Sequence, residues 1–318
     1  MIETPTLLIL GAGASAPYGY PLGSELRDNI NKDLVDFIKK EYNSHWAEDL
    51  NISPNLITKF TQRFDMAMSY SIDSFLAHQT EEIVAVGKLA IVNQIANSES
   101  PQRLFYKKGK DDNSLRFSND DDWYRYLVNK ITNNVPLNKV EDNNFEVITF
   151  NYDRSLEMCL MGTLSAFYSI DHKESADLMK NFPIHHMYGE MDPIPLDIPL
   201  PGNKNSDRQY GAPPSSEKIK EISKNIKLVH EAKDDKTVDK ANKMIKKTDR
   251  IYFLGLDLRN EENLNLFDKD LFTGKNLIGT VVGLEQAEIN LINQYFGGHL
   301  SISTNTKSEL TIRRLNPF

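Results

Sequence analysis

The sequence has one cysteine, Cys159, among its 318 residues. A single cysteine excludes an intrachain disulfide and any zinc site built from several cysteines. Cys159 lies in an apolar, helical pattern, so we interpret it as a small buried hydrophobic residue. The histidines give no better case for a metal, because most are scattered without ligand-like spacing. We therefore predict that no metal is bound.

Long hydrophobic runs are also missing. A membrane-spanning helix needs roughly 20 apolar residues, whereas the longest apolar stretch near the start is residues 7–10. The sequence shows neither a basic leader segment nor a small-residue cleavage site, so we predict no signal peptide. These absences lead us to expect a cytoplasmic protein that does not associate with membranes.

The sequence lacks an excess of positive charge. The 37 Lys and Arg residues are outnumbered by 45 Asp and Glu residues, which gives a net charge of −8. An acidic balance offers no electrostatic reason to bind nucleic acid. The two tryptophans, Trp46 and Trp123, show no pattern of base-stacking side chains. We therefore expect no direct contact with nucleic acid.

What the sequence does contain is an alternation of strand and helix patterns. Apolar β-rich runs occur at residues 6–10, 145–150, 165–170, 183–188, 251–254 and 277–282, with helical patterns between most of them. This alternation predicts an α/β fold whose parallel sheet is covered by helices on both faces. The first two strands are far apart, with one apolar helix face at Ile72, Phe75, Leu76, Ile83, Val86 and Ala90 in between. We predict a sheet domain of residues 1–30 and 140–318, interrupted by a helical insertion of residues 31–139.

A glycine-rich turn follows the first strand. Gly11-x-Gly13-x-x-Ala16 ends that strand and opens a helix, as in dinucleotide-binding proteins. Such glycines let the backbone approach a diphosphate, and the helix N-terminus offers free N–H groups. Glycines also serve ordinary tight turns, so the motif alone leaves both interpretations open. A dehydrogenase would place an acidic residue about 20 positions further on, at the next strand. Here that strand begins only at Phe145, which disfavours hydride transfer.

A second polar motif follows the strand at residues 145–150. Asn151 and Asp153 come directly after it, and ligands of open α/β sheets bind at the carboxyl ends of strands. An amide there can fix a water molecule or a ribose hydroxyl. Alternatively, one of the two side chains caps the following helix. The motif alone does not decide between binding and capping.

Five segments together resemble the bacterial sirtuin-like NAD-hydrolase domains of the anti-phage defence type. In chain order they are residues 7–15 with 20–23, 71–76, 149–153, 253–257 with 263–264, and 279–283. The matches follow the family's order from residue 7 to about residue 298 and so cover nearly the whole chain.

This resemblance implies a Rossmann-like sheet that holds NAD, as substrate and without a metal, across the strand ends. It implies cleavage of the nicotinamide–ribose bond to give nicotinamide and ADP-ribose. In it, Asn151 orients the attacking water or the ribose, and Asp73 faces the site from the insertion. The same resemblance places the diphosphate at Gly11, Ala12, Gly13 and Ser15, the adenosine half near Gly255, and further NAD contacts at Pro21, Asp153 and Asp257.

The sequence departs from the family at one catalytic position. The family's histidine stands directly before a glycine, and here Tyr188 occupies that place. A tyrosine, with a pKa near 10, is a poor base at neutral pH, whereas histidine titrates near 6.5. Since side chains alternate along a strand, we predict that His186 and Tyr188 share a face. We therefore expect Asn151, His186 and Tyr188 to be catalytic. In one interpretation His186 supplies the base while Tyr188 hydrogen-bonds the ribose, and which of the two replaces the family histidine stays open.

Two further hypotheses about function stay open. Tyr188 also fits a non-catalytic sensor or scaffold subunit of a defence complex that holds NAD or ADP-ribose without consuming it. An enzyme of this size without an extra sensing domain is expected to be latent, and to be activated as a homo-oligomer or by a separate protein. Protein deacetylation is disfavoured, because the deacetylases of this superfamily carry a four-cysteine zinc site that this sequence lacks.

Overall fold

The computed structural model describes residues 1–39, 45–69, 71–105, 122–194, 208–231, 235–259, 261–281 and 284–304. Six strands form one sheet with the order β3-β2-β1-β4-β5-β6, and every neighbouring pair is parallel. This Rossmann-like topology confirms the predicted α/β fold. The strands are β1 (Thr6–Leu10), β2 (Phe145–Thr149), β3 (Ile184–His186), β4 (Arg250–Leu254), β5 (Asn276–Val281) and β6 (Leu300–Thr304).

Helices connect all of these strands. Between β1 and β2 lie α1 (Ala12–Ser15), α2 (Gly23–Ile38), α3 (Trp46–Asp49), α4 (Pro54–Ala67), α5 (Ile72–Leu76), α6 (Glu81–Ser98), α7 (Pro101–Leu104) and α8 (Trp123–Thr132). The later connections contain α9 (Ser155–Tyr168) and α10 (His172–Met179), α11 (Ser216–Ile222) and α12 (Asp235–Lys247), α13 (Glu261–Leu264), and α14 (Gln286–Tyr295). None of the helices in the described ranges has the length and apolar character needed to cross a membrane.

The centre of the sheet is formed by β1 with its neighbours β2 and β4. All five residues of β1 are buried, as expected for a parallel strand covered on both faces. Leu10 pairs with Thr149 on one side and with Leu254 on the other. The three strands therefore end at the same level, and the segments that follow them meet at one edge. The strand order reverses between β1 and β4, which is where sheets of this type form a binding crevice.

The segment between β1 and β2 packs through aromatic rings into the same core as the sheet. The rings of Phe60, Phe64 and Phe75 have centroids 4.7 to 5.5 Å apart, and these residues belong to one buried cluster with the strands. The apolar residues predicted to share one helix face are buried but lie on two helices, α5 and α6. The division into a sheet domain and a helical insertion stays a prediction.

The prediction of a strand at residues 165–170 is wrong. Helix α9 continues to Tyr168 and ends where Ser169 adopts a left-handed backbone with φ of 55°. A short apolar run fits a buried helix as well as a buried strand, and here it continues the helix. Cys159 is buried in the same helix, as predicted. Strand β6 was not predicted.

Candidate functional site

The turn after β1 packs directly against the turn after β4. The Gly11 N–H donates to the Leu254 carbonyl oxygen at 3.0 Å, and the Gly13 N–H donates to the Gly255 carbonyl oxygen at 2.9 Å. A Cβ at position 11 would lie 2.6 Å from the Gly255 oxygen. One at position 255, where φ is +61°, would lie 2.1 Å from the nitrogen of Ala14. This close backbone contact requires glycine at both positions.

The same contact uses N–H groups that were predicted to hold a diphosphate. Those of Gly11 and Gly13 are engaged within the protein, whereas the N–H of Ala12 donates to no described residue. Ser15 is buried, and its hydroxyl accepts a hydrogen bond from Asn151. Among the four predicted diphosphate residues, Ala12 thus has the N–H group that remains for a ligand.

Asn151 is held from both ends by hydrogen bonds. Its amide nitrogen Nδ2 donates to the Gly11 carbonyl oxygen and to Ser15 Oγ, both at 3.0 Å. Its backbone N–H donates to Thr149 Oγ1 at 3.1 Å, and its backbone oxygen lies 2.9 Å from His186 Nδ1. A carbonyl oxygen only accepts, so the contact with Gly11 fixes which way the amide points. The amide oxygen Oδ1 makes no hydrogen bond within the described ranges and remains as an acceptor.

Asp153 bonds to the first residue of α9. Its carboxylate accepts hydrogen bonds from the backbone N–H of Ser155, at 3.0 Å, and from the Ser155 hydroxyl. Burial raises the pKa of Asp153 against the lowering effect of hydrogen bonds from Ser155 and Ser15. The N-cap residue of α9 is Arg154, whose side chain makes no cap hydrogen bond, so neither Asn151 nor Asp153 takes the N-cap position. The Asn151 side chain is directed to the glycine turn.

The side chain of His186 lies between two hydrogen-bond acceptors. Nδ1 faces the backbone oxygen of Asn151, and Nε2 lies 2.7 Å from Glu157 Oε1 on α9. Burial opposes the charged form, but the Glu157 carboxylate outweighs it and raises the pKa of His186 to about 9. At neutral pH the ring is therefore an imidazolium with both N–H groups engaged. In this arrangement it cannot accept a proton from water.

Tyr188 and His186 contact different parts of the protein, and their position on one shared face stays a prediction. Its ring packs edge-on against Phe150, with centroids 5.4 Å apart, and its hydroxyl donates to Asn263 Oδ1 on α13. His186 contacts α9 instead. The alternation expected of a strand does not reach Tyr188, because β3 ends at His186 and the chain turns at Gly189, where φ is +74°.

Asp73 lies beside Tyr152, the residue between Asn151 and Asp153. The Tyr152 hydroxyl donates to the Lys227 carbonyl oxygen at 2.9 Å and lies 3.3 Å from Asp73 Oδ1. Burial and the Asp73 carboxylate raise the pKa of Tyr152 well above its usual value. The structure thus brings α5 of the predicted insertion to the end of β2.

The two remaining predicted residues lie on loops. Asp257 is about half exposed, with 53% of its side chain accessible, and forms a two-point ion pair with Arg259, at 2.9 and 3.0 Å. Hydrogen bonds from Arg259 lower the pKa of Asp257 against the raising effect of burial. Pro21 lines an open pocket with Ala16, Gly19, Tyr20, Glu25, Asn29 and Ser98. Of the predicted segment 279–283, residues 282 and 283 lie outside the described residues.

Sequence reasoning missed a buried charge network beside this site. The Glu99 side chain is fully buried and pairs with Arg154, at 2.9 Å, and with Arg208, at 2.7 Å. The Asp192 carboxylate extends the network by pairing with Arg208, at 3.2 Å, and with Lys218, at 2.9 Å. Arg154 directly follows Asp153, so the network ties the start of α9 to the end of α6. Its directly paired side chains are up to 109 positions apart, and no local spacing signals their contact.

The fold and the site together define an α/β protein with a Rossmann-like parallel sheet and hydrogen-bonded turns that meet at the ends of β1, β2 and β4. No family model and no curated protein matches the chain. Within the described ranges, no group of three or more His, Cys, Asp or Glu side chains is placed to hold a metal ion.

Proposed function

We propose that this chain is an NAD glycohydrolase that binds NAD across the ends of β1, β2 and β4 and releases nicotinamide and ADP-ribose. The observation that carries the proposal is the geometry of Asn151. Hydrogen bonds fix its backbone and its Nδ2 atom, and Oδ1 remains as an acceptor at the crevice. The topology supports it, because the strand order reverses between β1 and β4, and dinucleotides bind at that point in sheets of this type.

A site that holds and orients its substrate can promote this reaction. When the nicotinamide–ribose bond breaks, its electron pair goes to the positively charged pyridine nitrogen, and neutral nicotinamide leaves. The ribose becomes an oxocarbenium ion, which water attacks at C1′ with loss of one proton. Asn151 Oδ1 accepts a hydrogen bond from that water or from a ribose hydroxyl and turns a negative dipole toward the developing cation. Fixed orientation alone supplies a large share of such an acceleration.

The rest of the crevice accommodates the other half of the dinucleotide in this proposal. The Ala12 N–H points from the turn that opens α1 and would meet a diphosphate oxygen. In this proposal the adenosine half lies near Gly255 at the end of β4, with Asp257 on the following loop. Ser15 acts through Asn151 and Asp153 and touches neither phosphate.

A nicotinamide-release assay tests this proposal. The protein is incubated with NAD and the products are separated by chromatography, with Asn151→Asp and Asn129→Ala as variants. Asn151→Asp keeps the size of the side chain but turns a carboxylate oxygen toward the Gly11 carbonyl, so we expect at least a hundredfold loss of turnover. Asn129 is exposed on α8 and bonds only locally, to the Arg125 carbonyl, so Asn129→Ala should match wild type. Wild-type turnover in Asn151→Asp would contradict the proposal.

The biological role that we propose is depletion of cellular NAD in the cytoplasm as an anti-phage defence, with activity latent until activation. The support is the resemblance to the sirtuin-like domains, together with the closed state of the site. The Tyr188 hydroxyl is bonded to Asn263 on α13. Assembly into a homo-oligomer, or a separate activating protein, would release this contact. Nicotinamide release that rises more steeply than linearly with protein concentration would support self-assembly, and full activity of a dilute monomer would contradict latency.

A binding module is the second candidate function. The engaged state of His186 and Tyr188 favours it, because neither side chain is placed to take a proton. Such a sensor or scaffold subunit would hold NAD or ADP-ribose stably. Calorimetry with NAD, followed by chromatography of the same sample, separates the two functions. Stable binding with intact NAD indicates the module, and release of nicotinamide indicates the enzyme.

A further inference from the structure

His186 joins an acidic side chain to the backbone of Asn151. The His186 side chain is 5% exposed, and its two nitrogens contact Glu157 Oε1, at 2.7 Å, and the Asn151 backbone oxygen, at 2.9 Å. The second carboxylate nearby is that of Glu190, whose Oε2 lies 3.9 Å from Nε2 and whose side chain is 60% exposed. Glu157, Glu190 and the Asn151 carbonyl are the groups that face this ring.

The two contacts together require a proton on each nitrogen of the imidazole. A carboxylate and a backbone carbonyl are acceptors, so each needs an N–H from the ring. A neutral histidine carries one N–H and would turn a lone pair toward one of the two oxygens. Loss of the second proton therefore breaks one contact and leaves a repulsive one. This argument depends on the two distances and on the chemistry of the acceptors.

We infer that the Glu157–His186 pair is a positioning device that holds the backbone of Asn151, and thereby aims its amide oxygen, only while His186 is doubly protonated. The inference rests on the proposed function for its catalytic consequence. His186 then acts through Asn151 and is a positioning residue, where one interpretation of the sequence made it the base. The burial of the pair and the raised pKa of His186, at about 9, agree with a device that is engaged at neutral pH.

Glu157→Gln is the most direct test. Glutamine keeps the size of the side chain and still accepts a hydrogen bond through Oε1, but it removes the negative charge. Without that charge, burial lowers the pKa of His186, so the ring loses its second proton below neutral pH. Glu190→Gln is the matched control, because it removes the more distant and exposed carboxylate. His186→Gln, which cannot titrate, is a second variant in case Glu157→Gln does not fold.

The first readout is the carbonyl carbon of Asn151, measured by NMR during a pH titration. Asn151-Tyr152 is the only Asn–Tyr pair in the sequence, so carbonyl-¹³C asparagine combined with ¹⁵N tyrosine gives one signal. We expect it to shift with an apparent pKa of about 9 in wild type and in Glu190→Gln. In Glu157→Gln it should shift below pH 7, and in His186→Gln it should not follow a histidine titration. A signal that is unmoved in wild type over pH 6 to 10 overturns the inference.

The second readout is the pH profile of nicotinamide release. We expect kcat to fall as the pH rises through about 9 in wild type and through a value below 7 in Glu157→Gln, with KM for NAD nearly unchanged. At pH 8 this amounts to a kcat at least about tenfold lower for the variant, restored on acidification. An unchanged profile in Glu157→Gln overturns the positioning role. If the protein neither binds NAD nor releases nicotinamide at any protein concentration, while the carbonyl signal follows His186, the proposed function fails and the coupling to Asn151 stands.

Discussion

The amide nitrogen of Asn151 donates a hydrogen bond to Ser15 Oγ at 3.0 Å, although the two residues are 136 positions apart in the sequence. The bond connects the turn that follows β1 to the segment that follows β2. It does so because β1 and β2 are neighbours and end at the same level. Together with the bond from the same nitrogen to the Gly11 oxygen, it makes the glycine turn a support for the amide. The turn after β1 therefore orients the Asn151 amide at the strand ends.

The contact between the glycine turn and Gly255 predicts a large loss of stability for Gly255→Ala. The new Cβ would overlap the backbone nitrogen of Ala14, at 2.1 Å, in a residue whose φ is +61°. Gly274→Ala is the matched control, since φ is +77° there but no atom lies within 4 Å of the new Cβ. We expect about 1 kcal/mol of destabilisation for Gly274→Ala, from the left-handed backbone alone.

For Gly255→Ala we expect about 3 kcal/mol or more, because the backbone of the turn after β1 must also move. Urea unfolding followed by circular dichroism measures both variants. Equal losses in the two proteins would show that the close approach of the two turns contributes nothing to stability.

Much of the fold and part of the site follow from local sequence. Five of the six strands lie at predicted positions, because buried parallel strands are short apolar runs that end at glycine or polar residues. β6 contains only two apolar residues, Leu300 and Ile302, among serines and threonine, and its pattern was too weak to detect. Gly11 and Asn151 were expected at one edge because the carboxyl ends of parallel strands meet there, and the structure brings them into contact.

The remaining contacts of the site depend on tertiary packing. Glu157 and His186 are separated by 29 residues, and Glu99 and Arg154 by 55. No periodic pattern in the sequence links such pairs. The alternation of side chains holds within a strand, and β3 is only three residues long and ends at His186, so alternation does not fix the direction of Tyr188. Binding residues of open α/β sheets lie just beyond the strand ends. The alternation of side chains no longer applies there.

The raised pKa of His186 predicts a pH-dependent stability. A histidine whose folded-state pKa, about 9, exceeds its unfolded value near 6.5 binds its proton more tightly when folded. Its stabilising contribution is fully present below pH 6.5 and is lost as the pH rises through 9. The loss is on the order of 3 kcal/mol between these limits.

Urea unfolding of wild type and Glu157→Gln at intervals from pH 6 to 9.5 checks this prediction. The free energy of unfolding of wild type should decline toward that of the variant as the pH rises. Glu190→Gln should keep the wild-type slope, because Glu190 is exposed and 3.9 Å from the ring. A constant difference between wild type and Glu157→Gln at all pH values would argue against a protonated His186 in the folded state.

The buried network around Glu99 predicts a strong effect for Glu99→Gln. The Glu99 carboxylate accepts hydrogen bonds from Arg154, Arg208 and the backbone of Gly211. Removing its charge leaves two buried guanidinium groups with Asp192 as the remaining carboxylate of the network. Breaking a buried ion pair on one side costs about 3–5 kcal/mol, because the other charge stays in a poorly solvated environment.

The matched control for this prediction is Glu221→Gln. Glu221 pairs with Lys218 at 3.2 Å, but its side chain is 65% exposed, so water replaces the lost interaction. Exposed pairs contribute about 0–1 kcal/mol, and we expect a loss within that range by urea unfolding. Because Arg154 directly follows Asp153, Glu99→Gln should also weaken the start of α9 and lower nicotinamide release. Comparable stabilities of the two variants would mean that the network contributes no more than a surface pair, and the link from α6 to the end of β2 would then need another explanation.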